Sequence, residues 1–183
     1  MNNIMFRITA VCVLVLTFNT TSLASDVVLT PFGQSPDALM IKVVLKKLGI
    51  KGQLNKKLTA GDLTNEKVLI TVVAGSSKGL GAAGIDKDAE IDRMKTVAKA
   101  AKDKGMKVLV MHIGGKGRRG KLTDMFIVEA VAMADKIIVV EGGDYDGFFK
   151  KLLEGKDTEM LPATSIRGTS EPLKTILTDW GIL

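Results

Sequence analysis

Residues 73–86, VAGSSKGLGAAGID, gather more groups able to do chemistry than any other stretch of this chain. Ser76 and Ser77 offer hydroxyls, Lys78 a cation, and Gly75, Gly79, Gly81 and Gly84 a backbone free to turn. Two fingerprints overlap there. Gly75-Ser76-Ser77-Lys78-Gly79 fits G-x-S-x-G, in which a serine on a tight strand-to-helix turn attacks an acyl carbon. Gly79-Leu80-Gly81-Ala82-Ala83-Gly84 fits G-x-G-x-x-G, whose glycines let a pyrophosphate approach a helix start.

Each fingerprint has a test in the surrounding sequence. A hydrolase using Ser77 or Ser76 needs a base, and His112 is the only histidine. Asp144 would be its acid, in a different chain order from the motif's usual serine, acid, histidine. The motif also needs a helix directly after the serine, whereas the next strong helix signal is the cap at Asp86. A dinucleotide loop needs an acid about 20 residues on, at the end of the following strand. That strand ends instead in His112-Ile113-Gly114-Gly115. No Gly-Lys-Ser/Thr follows a glycine at P-loop spacing. Asp144-x-Asp146-Gly147 matches a fragment of a calcium loop, with too few acids to complete one.

A third reading is an anion site. Glycine lets successive N–H groups turn outward as a nest, with Ser76, Ser77 and Lys78 adding donors. Gln34 and Ser35, in GQSPDA, form another polar turn before a helix. His112, Lys116, Arg118 and Arg119, in HIGGKGRRG, form a third. Converging donors of this kind suit a carboxylate or a phosphate. The competing reading is surface loops, with His112 a structural residue and Arg118 and Arg119 neutralising Glu141 or Asp144.

The elements that must position these loops follow a strand, glycine loop, helix rhythm. Val27–Thr30 is β-branched. Ser35, Pro36 and Asp37 then start a helix that runs through Ile41, Val44, Leu45 and Leu48 to Gly49. A weak edge strand is expected over 52–58. Val68–Ala74, broken only by Thr71, with Val108–Met111 and Ile137–Val140, are apolar runs of the kind expected of buried parallel strands. Helices are expected from Asp86 to Gly105, from Thr123 to Ala134, and briefly up to Leu153. Met160-Leu161 suggests a last edge strand, and Ser170-Glu171-Pro172 the cap of a terminal helix ending before Gly181. The predicted fold is a three-layer α/β domain with a mostly parallel sheet, flavodoxin-like or Rossmann-like, in strand order 2-1-3-4-5. In that order the Ser35 and Ser76 loops face each other across the switch point, and the His112 loop forms the far wall.

Composition narrows the class further. Arg7, the apolar run Ile8–Phe18 and the small residues Ser22 and Ala24 read as a signal peptide over 1–24, cut before Ser25. One domain, 25–183, remains. The chain has one cysteine, Cys12, inside that leader. Thiol catalysis, thiolate metal sites and iron–sulfur clusters are therefore excluded from the domain. The net charge is +6 but aromatics are only 4%. Nucleic-acid binding by base stacking is not expected, and neither is a ring-stacking sugar site.

Taken together, GQSPDA, GSSKGLGAAGID and HIGGKGRRG resemble an exported bacterial family known as a domain of unknown function. The resemblance spans Val27 to about Leu177. It implies export and a Rossmann-like α/β domain, and it carries no catalytic residues. The reading from the residues is thus an exported protein that binds a small anionic molecule through Gln34, Ser35, Gly75, Ser76, Ser77, Lys78, His112, Lys116, Arg118 and Arg119. A periplasmic or extracellular location is expected, with an envelope transporter or sensor as partner. No cofactor, no metal, no nucleic acid and, after leader removal, no membrane contact are expected. The alternatives are the serine hydrolase and a protein-interaction module of the cell envelope.

Overall fold

In a computed structural model of the chain, residues 25–183 are described. The signal peptide expected over 1–24 lies outside them. The elements run β1 (Val27–Phe32), α1 (Ala38–Lys47), β2 (Gly52–Leu54), β3 (Val68–Val73), α2 (Ser77–Ala83), α3 (Lys87–Asp103) and β4 (Lys107–His112). They continue with α4 (Lys121–Met133), β5 (Lys136–Val140), α5 (Phe148–Leu152), β6 (Glu159–Ala163) and α6 (Ser170–Asp179). The six strands form one sheet in order β2-β1-β3-β4-β5-β6, and every pairing is parallel. This is the expected 2-1-3-4-5 order with β6 added at the far edge.

The apolar strand runs are explained by cover on both faces. Along β3, Leu69 and Val73 join one core with Met94, Val97 and Ala101 of α3, Phe126 and Ile127 of α4, and Phe149 of α5. Val68, Ile70 and Val72 point the other way, to Ile41 and Leu45 of α1 and Leu173 and Ile176 of α6. Side chains alternate along a strand, so a strand packed on both faces is apolar at nearly every position; the exception in β3 is buried Thr71, whose hydroxyl donates to the Leu109 carbonyl at 3.5 Å. Burying a single Phe or Leu contributes roughly 1.5–3 kcal/mol. These two cores therefore supply the main stabilisation of the sheet ends that carry the loops.

Helix ends follow their local chemistry. Asp86 caps α3, its Oδ1 accepting from the N–H groups of Asp88 at 3.0 Å and Ala89 at 2.8 Å. Ser35 is not the cap of α1, which begins at Ala38 after a turn at Pro36 and Asp37. The Ser35 hydroxyl instead accepts from the Asp37 N–H at 3.3 Å. The β2 edge strand stops at Leu54, short of the expected 58. Asn55 turns the chain there, its Oδ1 accepting from the Lys57 N–H at 3.0 Å.

The largest departure lies in the glycine-rich stretch. A helix begins at Ser77, directly after β3, rather than waiting for Asp86. Ser76 caps it, accepting from the Gly79 N–H at 3.0 Å. Gly79 and Gly81 are helical, so the expected nest of outward N–H groups does not form. Only Gly84 takes the left-handed conformation, as the stop of α2 (φ 72°). Propensity hid this helix, because glycine costs about 1 kcal/mol in a helix interior. Close packing supplies the reason for Gly79: a Cβ there would strike the backbone oxygen of Gln34.

Candidate anion-binding cleft

The loops after β1 and β3 meet as the strand order requires. Gln34 and Gly75 form an isolated antiparallel bridge, and the Ser76 N–H donates to the Gly33 carbonyl at 2.9 Å. Beside this bridge lies a cleft of about 500 Å³ at the carboxyl ends of β2, β1 and β3. Gln34, Ser35 and Pro36 form one side, Ser76, Lys78 and Gly79 the other, and Lys56 and Lys57 close the outer edge. Pro31, Ala82 and Ala83 add apolar surface.

The electrostatics of this cleft are one-sided. Three lysines line it and no carboxylate does. Lys56 and Lys78 make no ion pair among the described residues. The Lys57 ammonium donates to the Ala83 carbonyl at 2.8 Å, which leaves it two further protons to give. The Ser35 and Ser76 hydroxyls each accept a backbone N–H and donate to no group among the described residues, Ser35 from a position only 2% exposed.

The wall at Gln34 is held from behind by a group that sequence reading missed. Gln34 is left-handed (φ 59°) although it is not glycine, a conformation that needs support from its surroundings. Its Nε2 donates to the Glu90 carboxylate at 3.2 and 3.3 Å and to the Lys56 carbonyl at 3.2 Å. Glu90 is wholly buried, and it also accepts the Gly33 N–H at 2.8 Å. Arg93 neutralises it through contacts of 2.7 Å from both Nε and Nη2. Arg93 further donates to the carbonyls of Pro31 at 2.6 Å and Leu58 at 3.0 Å, and its guanidinium lies over the Phe32 ring. One ion pair thus ties α3 to the loops after both β1 and β2. Glu90 and Arg93 read in sequence as an ordinary i,i+3 pair on a helix. Only the depth of burial marks them out.

The remaining predicted site residues lie elsewhere. Gly75 is wedged against Leu122 and Thr123 of α4, where a Cβ would come within 2.7 Å of Leu122 Cγ, and its N–H donates to the Thr123 hydroxyl at 2.9 Å. Ser77 is exposed and outside the cleft lining. His112 is fully buried against Phe149, with ring nitrogens 3.0 Å from the Val73 carbonyl and 3.3 Å from the Gly115 carbonyl. Neither nitrogen faces Ser76 or Ser77. Burial pushes its pKa below the ordinary 6.5, and the two carbonyls oppose that shift only in part.

The expected far wall is therefore corrected. The strand order is the expected one, but no residue of the loop after β4 lines the cleft, because its arginines are held by carboxylates of the protein. Arg118 crosses to the α1 side and pairs with buried Asp37 at 2.9 Å. Arg119 is committed to Asp124 at 2.6 Å, Asp146 at 3.0 Å and the Gly143 carbonyl at 2.7 Å. Burial works against its charge, and the two carboxylates more than offset that, leaving its pKa above the ordinary value. Lys116 lies over the Tyr145 ring with its ammonium 4.8 Å from the centroid. The acids that neutralise the arginines are Asp37, Asp124 and Asp146, rather than Glu141 or Asp144.

A doubly wound parallel sheet with a basic cleft at its switch point defines an α/β protein of the Rossmann-like class. Within that class the family is shown directly. Residues 24–177 match the model of a family described as a domain of unknown function (DUF6305), and the chain belongs to it. No curated protein and no solved structure matches the chain.

Proposed function

We propose that this protein is exported and binds a small carboxylate or phosphate in the cleft between Gln34, Lys56 and Lys78. The observation that carries the reading is the lining itself: Lys56, Lys57 and Lys78 with no acid among them. Its volume of about 500 Å³ suits a small organic anion. Two serine hydroxyls, Ser35 and Ser76, orient the acceptor, while the lysines supply charge. A single-domain binder of this kind hands its ligand to an envelope transporter or a sensor. The leader-like sequence over residues 1–24 supports export. Protein recovered from the cell envelope should begin at Ser25 by mass spectrometry, and recovery of an intact chain from the cytoplasm alone would refute that.

The binding test is thermal unfolding in phosphate and in acetate against chloride at matched ionic strength. A ligand present at about a hundred times its Kd adds roughly 2.7 kcal/mol of stability. That is a rise of about 5–10 °C for a domain of this size. Lys56→Ala with Lys78→Ala should abolish the rise while leaving the midpoint in chloride within about 2 °C. If no carboxylate or phosphate in a panel of such ligands raises the midpoint, the reading is wrong.

A further inference from the structure

The outer face of α1 carries a feature that the anion cleft does not use. Leu39, Met40 and Val43 are 45%, 46% and 54% exposed, and they are half of the six large apolar side chains that the described residues leave exposed. Lys42, Lys46 and Lys47 share that face. Helical spacing sets Leu39, Val43 and Lys46 in one row, with Met40 and Lys47 on one flank and Lys42 on the other. A groove of about 570 Å³ runs along one side, lined by Leu48 and Ile166 together with Lys47 and Arg167. A second, of about 300 Å³, brings Lys51 beside Val43 and Ile50. Neither groove is lined by an acid, and α1 contains none. None of these five cations makes an ion pair among the described residues.

We propose that this face seats the protein on an anionic lipid bilayer surface. Protruding apolar side chains between basic flanks are the pattern of interfacial helices, where apolar groups enter the headgroup boundary and lysines meet lipid phosphates. A second copy of the chain is a poor occupant, because five unpaired cations would face five more. The point where the chain enters the fold favours the bilayer over an acidic protein. The Ser25 hydroxyl donates to the Lys51 carbonyl, so the first described residue of the domain lies beside this face. The sequence before it includes the apolar run Ile8–Phe18. On the export reading proposed above, on which this argument rests, a bilayer that receives that run is within reach of the α1 face.

The test places a polarity-sensitive thiol probe on Val43→Cys in the full chain, with Cys12→Ser so that one site is labelled. A second protein carries the probe on Val128→Cys, exposed on α4 across the sheet. With phosphatidylglycerol–phosphatidylcholine vesicles the probe at 43 should shift to the blue and be quenched by brominated lipid, and the probe at 128 should do neither. Phosphatidylcholine alone should give no shift. Lys42→Gln, Lys46→Gln and Lys47→Gln together should weaken the anionic-vesicle response about a hundredfold while preserving the thermal midpoint. A leader that merely tethers the chain would insert neither probe. An aqueous spectrum at 43, or equal shifts at 43 and 128, overturns the proposal. A lipid-free shift that grows with protein concentration assigns the face to a second copy instead. A shift produced by an acidic amphipathic peptide and not by vesicles assigns it to a protein partner.

Discussion

Replacing Glu90 tests whether the cleft wall rests on one buried ion pair. In Glu90→Met, the Arg93 guanidinium, whose side chain is 13% exposed, loses the carboxylate that is its only one among the described residues, and the Gly33 N–H loses its acceptor. Breaking a buried pair from one side costs about 3–5 kcal/mol. Arg93 keeps the carbonyls of Pro31 and Leu58, which places the expected loss near 3 kcal/mol. For a domain of this size that is about 6–12 °C in Tm. Arg93→Met in the same background removes the stranded charge. The double variant should therefore be more stable than the sum of the two single losses predicts, by at least about 1.5 kcal/mol. Urea unfolding of all four proteins measures the cycle, read at constant slope so that a changed unfolded state is not mistaken for a changed native one. The Gln34 turn, left-handed and anchored on Glu90, should loosen with it, so the stabilisation by phosphate should shrink as well. Single losses that add within about 0.5 kcal/mol would refute the reasoning, as would a Glu90→Met protein within about 1 kcal/mol of the parent.

Three further outcomes are expected. Gly79→Ala should destabilise by roughly 1–3 kcal/mol, because its Cβ meets the Gln34 oxygen, whereas Gly81→Ala in the same helix, with open space around it, should stabilise by about 0.5–1 kcal/mol; urea midpoints distinguish the two. His112 has a folded pKa below 6.5, so the unfolded chain binds a proton first as pH falls, and stability is lost on acidification below about 6.5 until the folded pKa is passed; His112→Gln should flatten that part of the stability–pH curve, and equal slopes for both proteins would contradict the assignment. A fluorophosphonate serine probe should leave the folded protein unlabelled, because neither ring nitrogen of His112 faces Ser76 or Ser77; labelling that disappears in Ser77→Ala would restore the hydrolase reading.

The sheet was legible because its signal is local and repeated. Val108–Met111 and Ile137–Val140 are apolar at every position and Val68–Ala74 at all but Thr71, and cover on both faces explains that. The meeting of the loops at Gln34 and Gly75 followed from strand order alone. The identity of the third wall did not. Lys56 and Lys57 sit just past a three-residue edge strand whose periodicity is too short to read, and they carry no motif. Arg118 and Arg119 looked like ligand donors because their partners Asp37, Asp124 and Asp146 are scattered along the chain. Sequence spacing gives no measure of which of two basic clusters is already neutralised.

The same distinction accounts for the two fingerprints that overlap at residues 75–84. A glycine pattern records where the backbone must pass close to something, and it does not say what that something is. In nucleotide sites the close neighbour is a phosphate. Here Gly75 lies against Leu122 and Thr123, and Gly79 against the oxygen of Gln34, so both neighbours are protein. Gly75 and Gly79 are already accounted for by packing against α4 and the β1 loop, and Gly84 by the left-handed stop of α2. Any ligand must then be recognised by groups that the packing leaves unspent. Those groups are the ammonium ions of Lys56 and Lys78 and the hydroxyl protons of Ser35 and Ser76. All four line one cleft, which is why the binding proposal rests on its lysines and serines rather than on the motif that first drew notice.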